Sequence, residues 1–434
     1  MNTSDNRNNL IKKNIYASFL LKGWSAAIAL IMVPLTLNML GIYSNGIWLT
    51  ISSLLLWIDM LDIGLGNGLR NSVAENMAKG NFRMVREAIS STFFMLTVIS
   101  TIVFAVIAIT TYAIDPYYAL GVDYLKQPDL SKTIIVAVLF VCSTFVFKSI
   151  GNFYMGMQLP AINNLLITTG QTLALLLTIV AYYMHVHSLL AVVAINTAAP
   201  LIIWLLSYPY TFIIRFPHLR PKRIFINKKT VLSLCNTGIE FFIIQICSVL
   251  LFMTSNLIIS KLFSPSEVTP YQVAYRYFSI MMVFFTTVCM PFWNATTDAY
   301  ARGDIEWIRR ASRKLNLLMV LIALSLAFMV LISPWIYKLW VGPQVHIPQT
   351  LSISVALYLF ILIVSMRYSY FLNGIGVLRI QLVMIIFATV AFFPLAWIAC
   401  TKTQNVTILI LVMCIVNIPG LIANIWKFNK IIYP

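Results

Sequence analysis

Residues 149–214 read SIGNFYMGMQLPAINNLLITTGQTLALLLTIVAYYMHVHSLLAVVAINTAAPLIIWLLSYPYTFII, 66 positions without one Asp, Glu, Lys or Arg. Soluble domains carry about 25% charged residues, so a stretch of this length cannot form a water-facing surface. A helix crosses the roughly 30 Å hydrocarbon core with about 20 apolar residues, and Gln158-Leu159-Pro160 and His185-Val186-His187 divide the stretch at about that spacing. The rest of the chain follows suit: 434 residues, 60% apolar, 10% charged, a mean hydropathy of +0.88 and a net charge of +17. Lipid is the solvent, which excludes a disordered chain, a coiled coil and a secreted disulfide scaffold. The six cysteines (Cys142, Cys235, Cys247, Cys289, Cys400 and Cys414) lie in apolar stretches without metal-ligand spacing and read as small buried residues.

Outward from that stretch, apolar runs of helical length predict twelve crossings: 15–40, 46–66, 88–113, 133–156, 161–183, 188–214, 232–260, 271–294, 315–340, 350–372, 378–399 and 406–426. The first has a basic approach, but it is about twice as long as a signal h-region and contains Lys22, so a retained helix is expected. With the amino terminus in the cytoplasm, 23 of the 30 Lys and Arg fall on that side. Lys126, Lys132, Lys261, Lys338 and Lys402 face the other. Basic loops resist translocation, so both termini are expected inside. Most of the +17 is then an orientation signal and an attraction to anionic headgroups, and no nucleic-acid partner is expected.

Residues 71–88, NSVAENMAKGNFRMVREA, return 223 positions later as 294–311, NATTDAYARGDIEWIRRA. Asn71, Ala78, Gly80, Arg86 and Ala88 meet identical partners in Asn294, Ala301, Gly303, Arg309 and Ala311. The same offset lays the second run on the eighth and the outer loop 41–45 on 264–268. Both copies cross the membrane in the same direction. The predicted fold is an all-α polytopic membrane protein: six-helix lobes at 1–214 and 232–434, joined by a basic linker at 215–231 and related by a pseudo-two-fold along the membrane normal.

No enzyme's parts are visible. Loops 114–132 and 215–231 are too short for a catalytic domain, and no Walker loop, HExxH or GxSxG occurs. No catalytic residue, cofactor or metal is expected; the four histidines lie in loops without ligand partners nearby. Gly64-Leu-Gly-Asn-Gly68 ends an apolar run and follows no strand, so it reads as close helix packing and a helix stop.

What remains is ionisable groups at membrane depth, which need a partner, water or a path to the headgroups. Lys22 and Asp59 lie about 10 Å from the cytoplasmic end, Glu240 and Lys148 near that level, and Arg367 slightly shallower. Arg276 is about 8 Å below the outer surface. Each base alone can snorkel, but a shared layer is what a water-filled vestibule requires. Asp59 either neutralises Lys22 or titrates. Glu240, with no basic residue within a turn on its own helix, is a candidate for proton or cation coupling or for a latch to Lys22. Trp24, Tyr275 and Tyr277 are candidates for a sugar or headgroup site, against the simpler role of an interfacial belt. Pro34, Pro200 and Pro291 are candidate bending points.

The segment Asp62-Ile-Gly-Leu-Gly-Asn-Gly-Leu-Arg-Asn71, followed by the basic turn Lys79-Gly80-Asn81, resembles a motif of Wzx-type polysaccharide flippases, with Asp62, Gly64, Asn67 and Arg70 as its positions. These belong to the multidrug/oligosaccharidyl-lipid/polysaccharide exporter superfamily. The resemblance implies transfer of an undecaprenyl-diphosphate-linked oligosaccharide from the inner to the outer leaflet of the bacterial inner membrane, by alternating access, for O-antigen or related polysaccharide biosynthesis. Membrane lipids and polymerase or glycosyltransferase machinery are the partners it implies. Related lipid II flippases have two more helices than this chain. A diphosphate in low dielectric needs cationic partners, which makes Lys22 and Arg276 the first candidates for substrate binding and Lys148 and Arg367 the second. Asp59 and Glu240 are assigned to coupling or charge balance. Cation-coupled multidrug exporters of the same superfamily share the architecture. The excess of Lys22, Lys148 and Arg367 over Asp59 and Glu240 favours an anionic substrate.

Overall fold

The computed structural model describes residues 3–61, 65–226 and 239–433, with the side chains of Asp59, Asn67 and Glu240 outside the described set. Among the described residues, helix is found in each of the twelve predicted spans and no strand occurs. Nine described stretches are long and apolar enough to cross a bilayer, one of them, Leu20–Ile58, covering two predicted spans. The chain divides into two compact units, Met1–Phe242 and Ile243–Pro434.

In the first unit, α1 (Thr3–Met60) carries both initial spans and bends at Gly41, where φ is 70° and ψ 172°. Only glycine adopts that backbone readily, so the expected outer loop shrinks to one residue. Then come α2 (Leu65–Ala78), α3 (Phe82–Ala113) and the short α4 (Pro116–Leu120). The fourth span is split at Lys148 into α5 (Leu130–Phe147) and α6 (Ser149–Gly156). Next are α7 (Pro160–Tyr183) and α8 (Leu189–Pro209), which widens after Pro209 into a π-turn, Tyr210–Arg215. The breaks on either side of α7 each contain a left-handed residue, Gln158 (φ 60°) and His185 (φ 57°), at the positions read from the charge-free stretch.

One reading requires correction. The Gly64–Gly68 run does not stop a helix: α1 has already ended at Met60, and α2 opens at Leu65. Its described glycines lie where helices pack closely. Gly66 and Gly68 are buried, and α6 approaches α2 so tightly that a Cβ on Gly156 would lie 2.7 Å from the Arg70 carbonyl oxygen and 2.8 Å from Val73 Cβ. Leu69, Val73, Ile89, Phe153, Trp204 and Phe212 join α2, α3, α6, α8 and the π-turn in one apolar core.

The second unit holds α9 (Ile239–Leu262) from Ile243 onward, α10 (Pro265–Ala301), α11 (Ile305–Val341), α12 (Gln349–Ile375), α13 (Arg379–Thr403) and α14 (Val406–Ile432). Side-chain hydrogen bonds tie these helices together: Thr389 Oγ1 donates to the Cys247 carbonyl at 3.3 Å, and the hydroxyls of Tyr337 and Ser352 pair at 3.1 Å. In both units large apolar side chains such as Leu206, Leu331 and Val390 are exposed, as a lipid-facing surface requires. The five described cysteines are free and buried; Cys235 lies outside the described residues.

The repeated segment builds the same device twice. After α2 and after α10 the chain turns through a glycine of positive φ, Gly80 (69°) and Gly303 (74°). Asn81 then caps α3 by accepting from Met84 N at 3.3 Å, and Asp304 caps α11 by accepting from Trp307 N at 2.9 Å. The equivalent arginines act alike. Arg86 Nε donates to the Arg220 carbonyl at 2.9 Å, its guanidinium 4.3 Å from the Phe225 ring centre. Arg309 Nε donates to the Ile432 carbonyl at 2.8 Å, 5.4 Å from the Tyr433 ring centre. Arg86 clasps the segment that follows its unit's sixth span, and Arg309 the end of its own sixth span, to the start of the third.

Candidate functional site

Lys22 projects from α1 with an exposed side chain, and the residues around it are held to α7 by a row of polar contacts. Ser25 Oγ donates to Gln171 Oε1 at 2.5 Å and pairs with Thr168 Oγ1 at 3.1 Å. Trp24 Nε1 donates to Thr172 Oγ1 at 3.1 Å, and Thr168 Oγ1 to the Leu21 carbonyl at 3.4 Å. Thr168, Gln171 and Thr172 stand at i, i+3 and i+4, one face of α7, so a single helix edge meets Leu21, Trp24 and Ser25. Leu21, Trp24 and Ser25 flank Lys22 along α1, so a cation and a row of neutral donors and acceptors share this stretch of helix. These three α7 residues were not singled out from the sequence. The signal was present as a polar stripe of helical period inside a stretch read only for its lack of charge.

The other candidates are spread over separate helices. Lys148 is half-buried at the joint of α5 and α6. Arg276 is half-buried on α10 between Tyr275 and Tyr277. Tyr277 is turned towards α11, its hydroxyl donating to the Met329 carbonyl at 3.3 Å and its ring 5.4 Å from Tyr337, which commits it to packing. Arg367 on α12 is 5% exposed; its Nη2 donates to the Ser312 carbonyl at 2.8 Å and Oγ at 3.0 Å, with the Tyr368 ring 4.9 Å away. Its Nε meets no acceptor among the described residues. Asp59 and Glu240 lie on α1 and α9, but their side chains, and hence the expected pairing with Lys22, fall outside the described set. Of the motif, Asp62 and Gly64 lie outside the described residues, Asn67 is on α2, and Arg70 is exposed there.

The second unit also contains a cavity of about 300 Å³ between α10, α12, α13 and α14, largely apolar but with a group of uncharged polar side chains. Ser365, Ser369, Gln381, Asn417 and Asn424 face it. Asn424 Nδ2 donates to both serine hydroxyls at 3.3 Å, while its buried Oδ1 has no partner among the described residues. A search for charges at membrane depth passes over such neutral groups.

Comparison with known proteins agrees with this architecture. The chain is 23% identical over 378 residues to a protein of Salmonella typhi named for O-antigen transport, covering 84% of this chain and 83% of the relative. It is 19% identical over 375 residues to a Yersinia pseudotuberculosis protein named for O-antigen export, covering 84% of each. Among solved structures it resembles the inward-facing conformation of a multidrug resistance MATE family transporter of the MOP superfamily, with a TM-score of 0.79 and 14% identity over 94% of both chains. The outward-facing form of a MATE family transporter matches with a TM-score of 0.60 and 14% identity over 95% of this chain and 96% of that one. These structures share the fold. The MatE family model matches residues 241–398, and the polysaccharide biosynthesis protein model matches residues 11–292, more than half of the chain. A helical membrane protein carrying the Asp62 to Asn71 motif and matched over that length, the chain belongs to the polysaccharide biosynthesis protein family.

Proposed function

We propose that this chain is a flippase that carries an undecaprenyl-diphosphate-linked oligosaccharide repeat unit from the inner to the outer leaflet of the bacterial inner membrane. The observation that carries the reading is the stretch of α1 in which exposed Lys22 is flanked by Leu21, Trp24 and Ser25, the residues bonded to Thr168, Gln171 and Thr172. A diphosphate leaving water needs a positive partner, and the hydroxyls and amide beside it suit a glycan. The family match and the relatives named for O-antigen transport and export support the same substrate class. Arg276 is the second phosphate contact. Lys148 and Arg367 are weaker candidates, Arg367 because Ser312 already occupies part of its guanidinium. Asp59 and Glu240 balance charge or couple transport to a proton or cation gradient. Both termini are cytoplasmic, the two lobes alternate access, and polymerase or glycosyltransferase machinery stands on either side of the step. No covalent bond changes, so the protein works without catalytic residues or a cofactor.

Lys22→Ala and Arg276→Ala, each in place of the wild-type gene, are expected to abolish surface polysaccharide at unchanged protein level, with Lys22→Arg retaining it. Normal polysaccharide in both alanine variants overturns the assignment. The MatE match over residues 241–398 favours a second reading, a cation-coupled multidrug exporter. A deletion strain with drug sensitivity and normal glycans would select it.

A further inference from the structure

The segment after α8 carries Arg215, Arg220, Lys222, Arg223, Lys228 and Lys229 and, through residue 239, no Asp or Glu. Its described part is strapped onto α3. Arg86 holds the Arg220 carbonyl, and Ser90 Oγ accepts from Lys222 N at 3.1 Å. A cavity of about 280 Å³ lies between strap and helix. Phe93, Phe94 and Tyr208 supply its apolar surface, and Lys222 and Arg223 its basic one.

This cavity has two chemistries at a fixed spacing. The bases form no ion pair among the described residues. Beside them Phe94 is 47% exposed and Ile224 84% exposed, apolar surface that water would not cover favourably. A free inorganic anion satisfies the bases and leaves the rings bare; an acyl chain covers the rings and leaves the bases unmatched. A molecule with phosphate at one end and hydrocarbon at the other satisfies both. We propose that the cavity binds an anionic phospholipid, its phosphate held by Lys222 and Arg223 and the start of one acyl chain lying along Phe94. Arginine supplies forked donors and lysine a point charge, and the strap's hydrogen bonds hold the backbone that carries them before the lipid arrives. The inference rests on the chain being embedded in a membrane and does not require the flippase reading, so the two can fail separately.

The test uses the full-length protein purified in detergent, with lipid retention counted by native mass spectrometry. Phosphatidylglycerol is expected to be retained in preference to phosphatidylcholine. Affinity should fall about 5-fold for each charge removed in Lys222→Gln and Arg223→Gln, the worth of a basic residue at an anionic surface. Lys338→Gln with Lys402→Gln, the same charge loss on exposed residues elsewhere, should leave retention unchanged. Phe94→Ser should weaken phosphatidylglycerol binding while leaving unchanged the weaker competition by glycerol phosphate. The charge-keeping swap Lys222→Arg with Arg223→Lys should restore retention, which separates lipid binding from folding. Equal loss in the Lys338/Lys402 variant, equal retention of phosphatidylcholine, or glycerol phosphate competing as well as the whole lipid would each overturn the proposal.

Discussion

Arg86 and Arg309 each combine a charged hydrogen bond to a carbonyl with a ring contact. A hydrogen bond from a charged group is worth about 1.5–3 kcal/mol and an exposed cation–π contact about 0.5–1 kcal/mol. Thermal unfolding in detergent should show Arg86→Ala and Arg309→Ala each destabilising by about 2 kcal/mol, with Lys recovering little because it lacks the Nε donor. Gly156→Ala forces a methyl against the Arg70 carbonyl and Val73, and should cost about 1–3 kcal/mol by the same measurement. Lys79 holds the Glu75 carboxyl below its ordinary value of 4.5, through a hydrogen bond and then charge. A depressed carboxylate stabilises above its unfolded-state pKa and loses that contribution as pH falls through the folded value. Glu75→Gln should therefore leave unfolding at pH 7 nearly unchanged, the pair being exposed, and any difference from wild type should vanish in acid.

At the scale of the element, α7 is where sequence and structure differ most usefully. Its boundaries were legible, because Pro160 opens it and the breaks around Gln158 and His185 interrupt the apolar run. Its role was not. Thr168, Gln171 and Thr172 carry no charge, and only the neighbouring α1 edge reveals that they face Trp24 and Ser25. Interhelical hydrogen bonds in membranes average about 0.6 kcal/mol, so Gln171→Leu should lower stability by less than about 1 kcal/mol. Polysaccharide export should fall far more if this face receives the glycan; parallel losses would mean that the row only packs helices. The Gly64–Gly68 run failed as a helix stop for a related reason. Small residues signal both termination and close approach, and the choice depends on the partner, here Gly156 on α6, which is remote in sequence.

For the molecule as a whole, the charge-free stretch was enough to give the solvent, and apolar run length gave the spans. The 223-residue offset gave the repeat, because hydropathy, basic loops and turn glycines are all local signals. Partners of the intramembrane charges were not legible, since helix rotation decides them: Arg367, read as a cavity base, bonds to Ser312. The boundary between the two compact units falls at Phe242, close to the end of the basic linker. Residues 1–231 and 232–434, co-expressed as separate chains, are expected to restore polysaccharide in a deletion strain. The paired arginine clasps carry a mechanical consequence. Each ties the chain at or just beyond a sixth span to the start of the third span of its own half, so a displacement of either tail must carry that helix with it or break the clasp.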